Sequence, residues 1–212
     1  MMTSEPNTIT TMPVLALRGL TIFPNMLLHF DVGRGTSIKA LDEAMAEGLP
    51  IFLVAQRDLT VEEPGEKDLY TIGTVSTVKQ ILRLPGENVR VMVEGSSRGK
   101  LVSLSKTTPF LQGEVEVLSV PEHTRNTPRT EALIRSTYEL FERYAELSPR
   151  MTGDVLISVL SSEDPGYIAD YIAQNIAMRA SDKQAILEEL HPVRRLSKLA
   201  HALGREVSIL EL

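Results

Sequence analysis

The hydrophobic period of this chain changes near Val120, and that change constrains the fold more than any single motif does. Before it, apolar residues come in short runs and alternations, the pattern of strands. After it, they recur at three- and four-residue steps, the pattern of helices. With 212 residues there is enough chain for one large domain or two small ones, each with its own core.

In the first half, Val14–Leu17 and Leu27–Val32 are short apolar runs separated by Arg18-Gly19 and Phe23-Pro24. Thr36 is placed to cap a helix over Ser37–Glu47, with Ile38, Leu41 and Met45 on one face and Gly48 just beyond its end. Ile51–Ala55 is continuously apolar, as expected of a strand buried on both faces. Asp58–Asp68 is acidic and holds Pro64-Gly65, so it reads as a solvated loop. Thr74–Leu84 and Val89–Glu94 flank Pro85-Gly86-Glu87-Asn88 and read as a hairpin, with a bulge between Val75 and Val78 where the alternation slips. Lys100–Ser105 and Gly113–Val120 complete a set of strands suited to a small, partly closed barrel.

Residues 121–129 carry two prolines and little to bury, and read as a linker. Beyond them Leu133, Thr137, Leu140, Phe141, Tyr144 and Leu147 form a helical stripe. Asp154–Ser161 is a short helix candidate, and Asp164-Pro165 places an N-cap before a proline at the first helical position. Ser181 and Gln184 have capping-box spacing. Val193, Leu196, Leu199, Leu203, Val207 and Leu210 mark a last long helix in which Gly204 is the weak point. The pattern predicts an α+β chain: a polar tail at 1–12, a β-rich unit at 13–120, a linker at 121–129 and a helical unit at 130–212.

Composition narrows the function classes. A net charge of −6 argues against phosphate backbones as the main partner, because those call for a basic face. The chain has no cysteine, which removes disulfides and thiolate chemistry and suits a reducing cytoplasm. No apolar run approaches the roughly 20 residues a membrane helix needs, and the first residues have neither the basic nor the apolar region of a secretory signal.

Candidate chemistry fails on spacing. Gly95–Leu101 is one residue short of a phosphate-binding loop and lacks the hydroxyl residue after Lys100. Ser97 and Lys100 match S-x-x-K, but without the partner motifs that chemistry requires. His29, His123, His191 and His201 are scattered, and Glu62, Glu63, Glu66 and Asp68 lack calcium-loop spacing. No catalytic, metal or cofactor residue is expected on this chain. One segment keeps functional weight: Phe23, Pro24, Met26 and Leu27 crowd apolar groups around a proline. It reads either as plain core or as an exposed patch able to hold many unrelated sequences.

Pro13–Arg34 (PVLALRGLTIFPNMLLHFDVGR), Ile51–Asp58 (IFLVAQRD), Tyr70–Thr74 (YTIGT) and Val93–Arg98 (VEGSSR) occur in an order that resembles the N-terminal domain of the ATP-dependent protease Lon. The resemblance spans Pro13 to Leu212, with His29 standing where many members of that family have proline. It implies a PUA-like pseudo-barrel followed by a helical bundle. It also implies capture of unfolded, damaged or regulatory proteins, and assembly with other subunits into a hexamer. The ATP, magnesium and serine peptidase chemistry of the parent would lie outside this chain, and the last helix would continue beyond Leu212. A free-standing module of the same type and a PUA-like RNA binder are the alternative readings.

Overall fold

The computed structural model describes residues 7–212, and the chain divides into two compact units, Met1–Ser119 and Val120–Leu212. The first holds strands β1 (Ile9–Leu17), β2 (Leu27–Val32), β3 (Ile51–Ala55), β4 (Ile72–Arg83), β5 (Val89–Lys106) and β6 (Gln112–Val117), with helix α1 (Gly35–Glu47) between β2 and β3. The second holds α2 (Pro128–Leu147), α3 (Gly153–Leu160), α4 (Pro165–Asn175), α5 (Ala180–Glu188) and α6 (Pro192–Glu211). The architecture is α+β.

The six strands lie in the order β2-β5-β4-β3-β1-β6, and β6 also pairs with β5. That second pairing closes a ring from β5 through β4, β3, β1 and β6 back to β5. Strand β5 makes closure possible because it is long. Its Val89–Glu94 part carries β2 and its Gly99–Lys106 part carries β6, while β4 runs along the other edge. Among the described strands only β1 and β3 pair in parallel.

Strands β1 and β3 are covered on both faces, which is why Ile51–Ala55 can be apolar throughout. On one side Leu15, Leu17, Ile51 and Leu53 pack with Ala40, Leu41 and Ala44 of α1. On the other, Val14, Phe52 and Val54 pack with Leu101 and Val115. Burial of one such side chain contributes about 1.5–3 kcal/mol. Two small residues permit the tight fit around Phe52: a Cβ on Gly73 would stand 2.8 Å from its ring, and one on Gly99 would stand 3.0 Å away.

Several boundaries differ from the sequence reading. Strand β1 begins at Ile9, so Ile9–Met12 are not part of a tail; they pair with β6, and Asn7 donates to Glu116 at 3.0 Å. Residues 1–6 of the expected tail lie outside the described residues. Helix α1 starts at Gly35 with Arg34 as N-cap, not Thr36, and its buried face is Ser37, Ala40, Leu41 and Ala44. Met45 consequently points outward, at 41% exposure. Gly48 does close the helix, in the left-handed conformation with φ 63°. The register slips twice between β4 and β5, leaving Lys79 and Ser96 as the extra residues.

In the second unit Asp164 caps α4 through its Oδ1, which accepts from the amides of Gly166 and Tyr167. Helix α2 begins at Pro128, inside the expected linker, because Thr127 accepts from the Thr130 amide at 3.2 Å. Ser181 does not cap α5; the N-cap is Arg179, which puts Ser181 inside the first turn and leaves Gln184 buried. In α6 Leu196, Leu199, Leu203 and Val207 are buried, whereas Leu210 is exposed. Gly204 sits within the helix without ending it.

Candidate functional site

The expected apolar patch is mostly core. Phe23, Pro24 and Met26 are buried, Phe23 completely, and only Leu27 stands out at 56% exposure. The backbone explains the burial. Phe23–Met26 is a β-turn with Pro24 and Asn25 at its centre, closed by the Met26 amide donating to the Phe23 carbonyl at 3.3 Å. Asn25 adopts φ 66°, the positive value a type II turn needs after proline. The turn is pinned to β5, with the Asn25 amide donating to Gly95 O at 2.8 Å and the Gly95 amide to Met26 O at 2.9 Å. The buried Thr74 hydroxyl also donates to Ile22 O. Pro24 marks a turn folded inward; it does not break a sheet edge.

The rejected motifs have equally plain structures. Gly95–Leu101 runs within β5, so Ser97 and Lys100, three apart in a strand, point to opposite faces. In the acidic loop, Glu66 accepts from the Leu104 amide at 2.6 Å and Asp68 from the Gly65 amide at 2.8 Å. Those two carboxylates anchor a short 3-10 turn at Glu66–Asp68. Among the described residues no three His, Asp or Glu side chains gather as a metal site, and no helix is long and apolar enough to cross a membrane.

The site the first unit does build is a cleft of about 630 Å³ between the end of β1 and the end of β2. Leu15–Arg18 form one wall and Phe30–Arg34 the other, with half-buried Leu20 beside them. The first turn of α1 contributes Ser37, and the acidic loop contributes Glu62 and Glu63 at the rim. Its lining is therefore apolar in part, with charges of both signs around it. Asp31 is paired across the strands with Arg90, at 2.8 and 3.3 Å. That hydrogen bond holds the Asp31 carboxyl below its usual range, and the pair stays ionised at neutral pH.

Gln56 holds the cleft together. It is 3% exposed, its backbone amide donates to Leu17 O, and its side-chain carbonyl accepts from Arg34 at 2.8 Å. Its amide group donates to the carbonyls of Val61 at 2.9 Å and Asp58 at 3.2 Å. Burial, followed by the charge of nearby Arg18, lowers the Arg34 pKa, with Glu62 opposing; the guanidinium remains a cation. Sequence reasoning missed Arg18, Arg34 and Gln56. The available signal was one polar residue at the end of the apolar run Ile51–Ala55. Gln56→Glu is expected to destabilise the first unit by about 1–3 kcal/mol, because a carboxylate cannot donate to the Asp58 and Val61 carbonyls. Urea unfolding monitored by amide signals of β1 and β3 measures this.

Comparison with known proteins follows the same outline. Residues 11–205 match the family described as the ATP-dependent protease La (LON) substrate-binding domain. The chain is 43% identical over 204 residues to Lon protease of Desulforamulus reducens, and 35% identical over 202 residues to Lon protease 1 of Bacillus subtilis. These alignments cover 96% and 95% of this chain but only 25% and 26% of those proteins. The chain thus spans about a quarter of the length of the curated relatives it matches. The solved N-terminal domain of Mycobacterium avium complex Lon protease superposes with a TM-score of 0.72 at 22% identity, covering 92% of this chain and 98% of that one. A Lon N-terminal domain protein from Xanthomonas campestris gives 0.65 at 14% identity, covering 91% and 98%. At those identities the two structures speak for the fold, and the sequence matches speak for the family: this chain belongs to the Lon substrate-binding domain family.

Proposed function

We propose that this chain captures unfolded segments of other proteins for an ATP-dependent serine protease of the Lon type, and that the cleft between β1 and β2 is where it does so. The observation that carries the reading is the cleft itself, open and partly apolar in a domain whose family is described by substrate binding. Half-buried Leu20 and Phe30 offer apolar contact without specifying a sequence, whereas exposed Leu27 points to the other face of β2. Seating two or three apolar side chains, at roughly 1.5–3 kcal/mol each, leaves about micromolar affinity after the cost of association. The energy source and the peptidase belong to the rest of the parent protein, which we place in the cytoplasm and in whose hexamer this domain helps hold subunits together. With a net charge of −6 the chain is poorly suited to nucleic acid.

Anisotropy titrations with reduced, carboxymethylated lactalbumin and with its native form test this. The unfolded form is expected to bind at micromolar concentration and the native form not to bind. Leu20 also packs against the core, so Leu20→Asp is expected to lower the melting temperature and, in samples whose amide spectrum shows them still folded, to weaken binding about tenfold. Equal binding of both forms, or a Leu20→Asp variant that binds as well as the parent, would reject the cleft as the capture site.

A further inference from the structure

We infer that the cleft takes its ligand as an extended strand, which pairs through its main chain with the open edge of β2. This rests on the capture reading above and specifies how capture is achieved.

The barrel is closed at one end and open at the other. On the outer edge of β5, β6 pairs with Gly99–Lys106 and β2 with Val89–Glu94. Strand β6 reaches across to β1 and closes the ring, whereas β2 ends the sheet. The pairing of β1 with β6 covers Ile9–Pro13, and the Val14 amide still donates to Leu111 O. From Leu15 to Leu17, β1 has β3 on one side and the cleft on the other. The cleft therefore lies where a further strand of the ring would lie, between two backbone edges.

The edge of β2 also lacks the devices that discourage pairing. Leu27–Val32 is LLHFDV, without lysine, proline or a bulge. Its one charge, Asp31, is engaged by Arg90 of the neighbouring strand. An edge of this kind accepts any chain with free amides and carbonyls, and alternate side chains then enter the apolar wall. Main-chain pairing is tolerant of sequence, as capture of varied unfolded proteins requires. A folded protein has already spent its backbone groups, so the mode itself discriminates against folded chains.

The occupant is a segment of another, unfolded protein and not a second copy of this chain. Glu62 and Glu63 stand at the rim, and the chain carries −6 overall, so two copies meeting edge to edge would bring like charges together.

The test uses overlapping synthetic peptides tiling reduced, carboxymethylated lactalbumin, with the tightest binder remade bearing one N-methyl group at successive backbone amides. Methylation at every second residue is expected to weaken binding about tenfold, and at the intervening residues less than about twofold, since only alternate amides face the edge. Amide shifts of the protein on titration should concentrate in Leu27–Val32 and Leu15–Arg18. A peptide that binds but shows no alternation would overturn strand pairing and leave capture standing. Failure of every peptide to bind would overturn both. A concentration-dependent dimer with β2 amides protected from exchange would assign the edge to a second copy and overturn the proposed occupant.

Discussion

Replacing Arg195 by alanine is expected to destabilise the helical unit by about 3–5 kcal/mol, the cost of breaking a buried ion pair from one side. Arg195 is 3% exposed and sits in the first turn of α6. Its guanidinium donates to Asp170 Oδ2 of α4 at 3.1 Å and to Gly166 O at 3.3 Å. It also donates to the carbonyls of Glu189 at 2.9 Å and Leu190 at 3.2 Å, just where α5 ends. One planar group thus ties three helices. Alanine would leave the Asp170 carboxylate and carbonyls of two chain segments facing a hole. Arg195→Lys should recover only part of the loss, because a single ammonium cannot match the fork of donors. Tyrosine fluorescence reports this unit well: Tyr138, Tyr144, Tyr167 and Tyr171 lie in it, and Tyr70 lies in the other. A midpoint in urea unchanged from the parent would show that the pair contributes nothing net.

The second large effect belongs to Gly95→Val, expected to cost the barrel unit about 3 kcal/mol through overpacking. A Cβ at this position would lie 2.4 Å from the Phe23 carbonyl oxygen and 3.2 Å from Pro24 Cα. Both are backbone atoms of the pinned turn, so no side chain can swing aside. The substitution must break the Asn25–Gly95 and Gly95–Met26 hydrogen bonds or bend β5. Increased hydrogen exchange at Asn25 and Met26, with the helical unit unaffected, is the expected signature. Gly86→Val is a useful contrast, for a Cβ there meets nothing within 4 Å and only the positive φ of 85° is strained.

These two positions show what a single sequence can reveal. The Asp164-Pro165 helix start, the Gly48 helix end and the turn at Pro85–Asn88 are local signals, each readable from a few adjacent residues. Gly95-Ser96-Ser97-Arg98-Gly99 parts the expected strands Val89–Glu94 and Lys100–Ser105 in the sequence reading, because glycine usually marks a turn. Here it marks close approach, and the two expected strands are one strand of 18 residues. Phe23 and Met26 were ambiguous for a related reason: burial depends on which element lies opposite, and the partner of that turn is about seventy residues away, at Gly95. The cleft was least legible. Its walls come from Leu15–Arg18 and Phe30–Arg34 and its rim from Glu62 and Glu63, and nothing in any one of those segments announces the others.

The place of β1 in the ring has a consequence for how the chain is made. Its partners are β3 and β6, and Ile9–Pro13 must wait for Gln112–Glu116 before they are paired. At about 5–20 residues per second, a ribosome takes several seconds or more to deliver the missing neighbour. Throughout that interval the nascent β1 presents Met12, Val14 and Ala16 with one half of their core still unmade. Helix α2 of the second unit also waits, because its main partner is α6, with three helices made in between. During synthesis, a domain of a substrate-binding family is therefore itself an incomplete barrel in need of a strand.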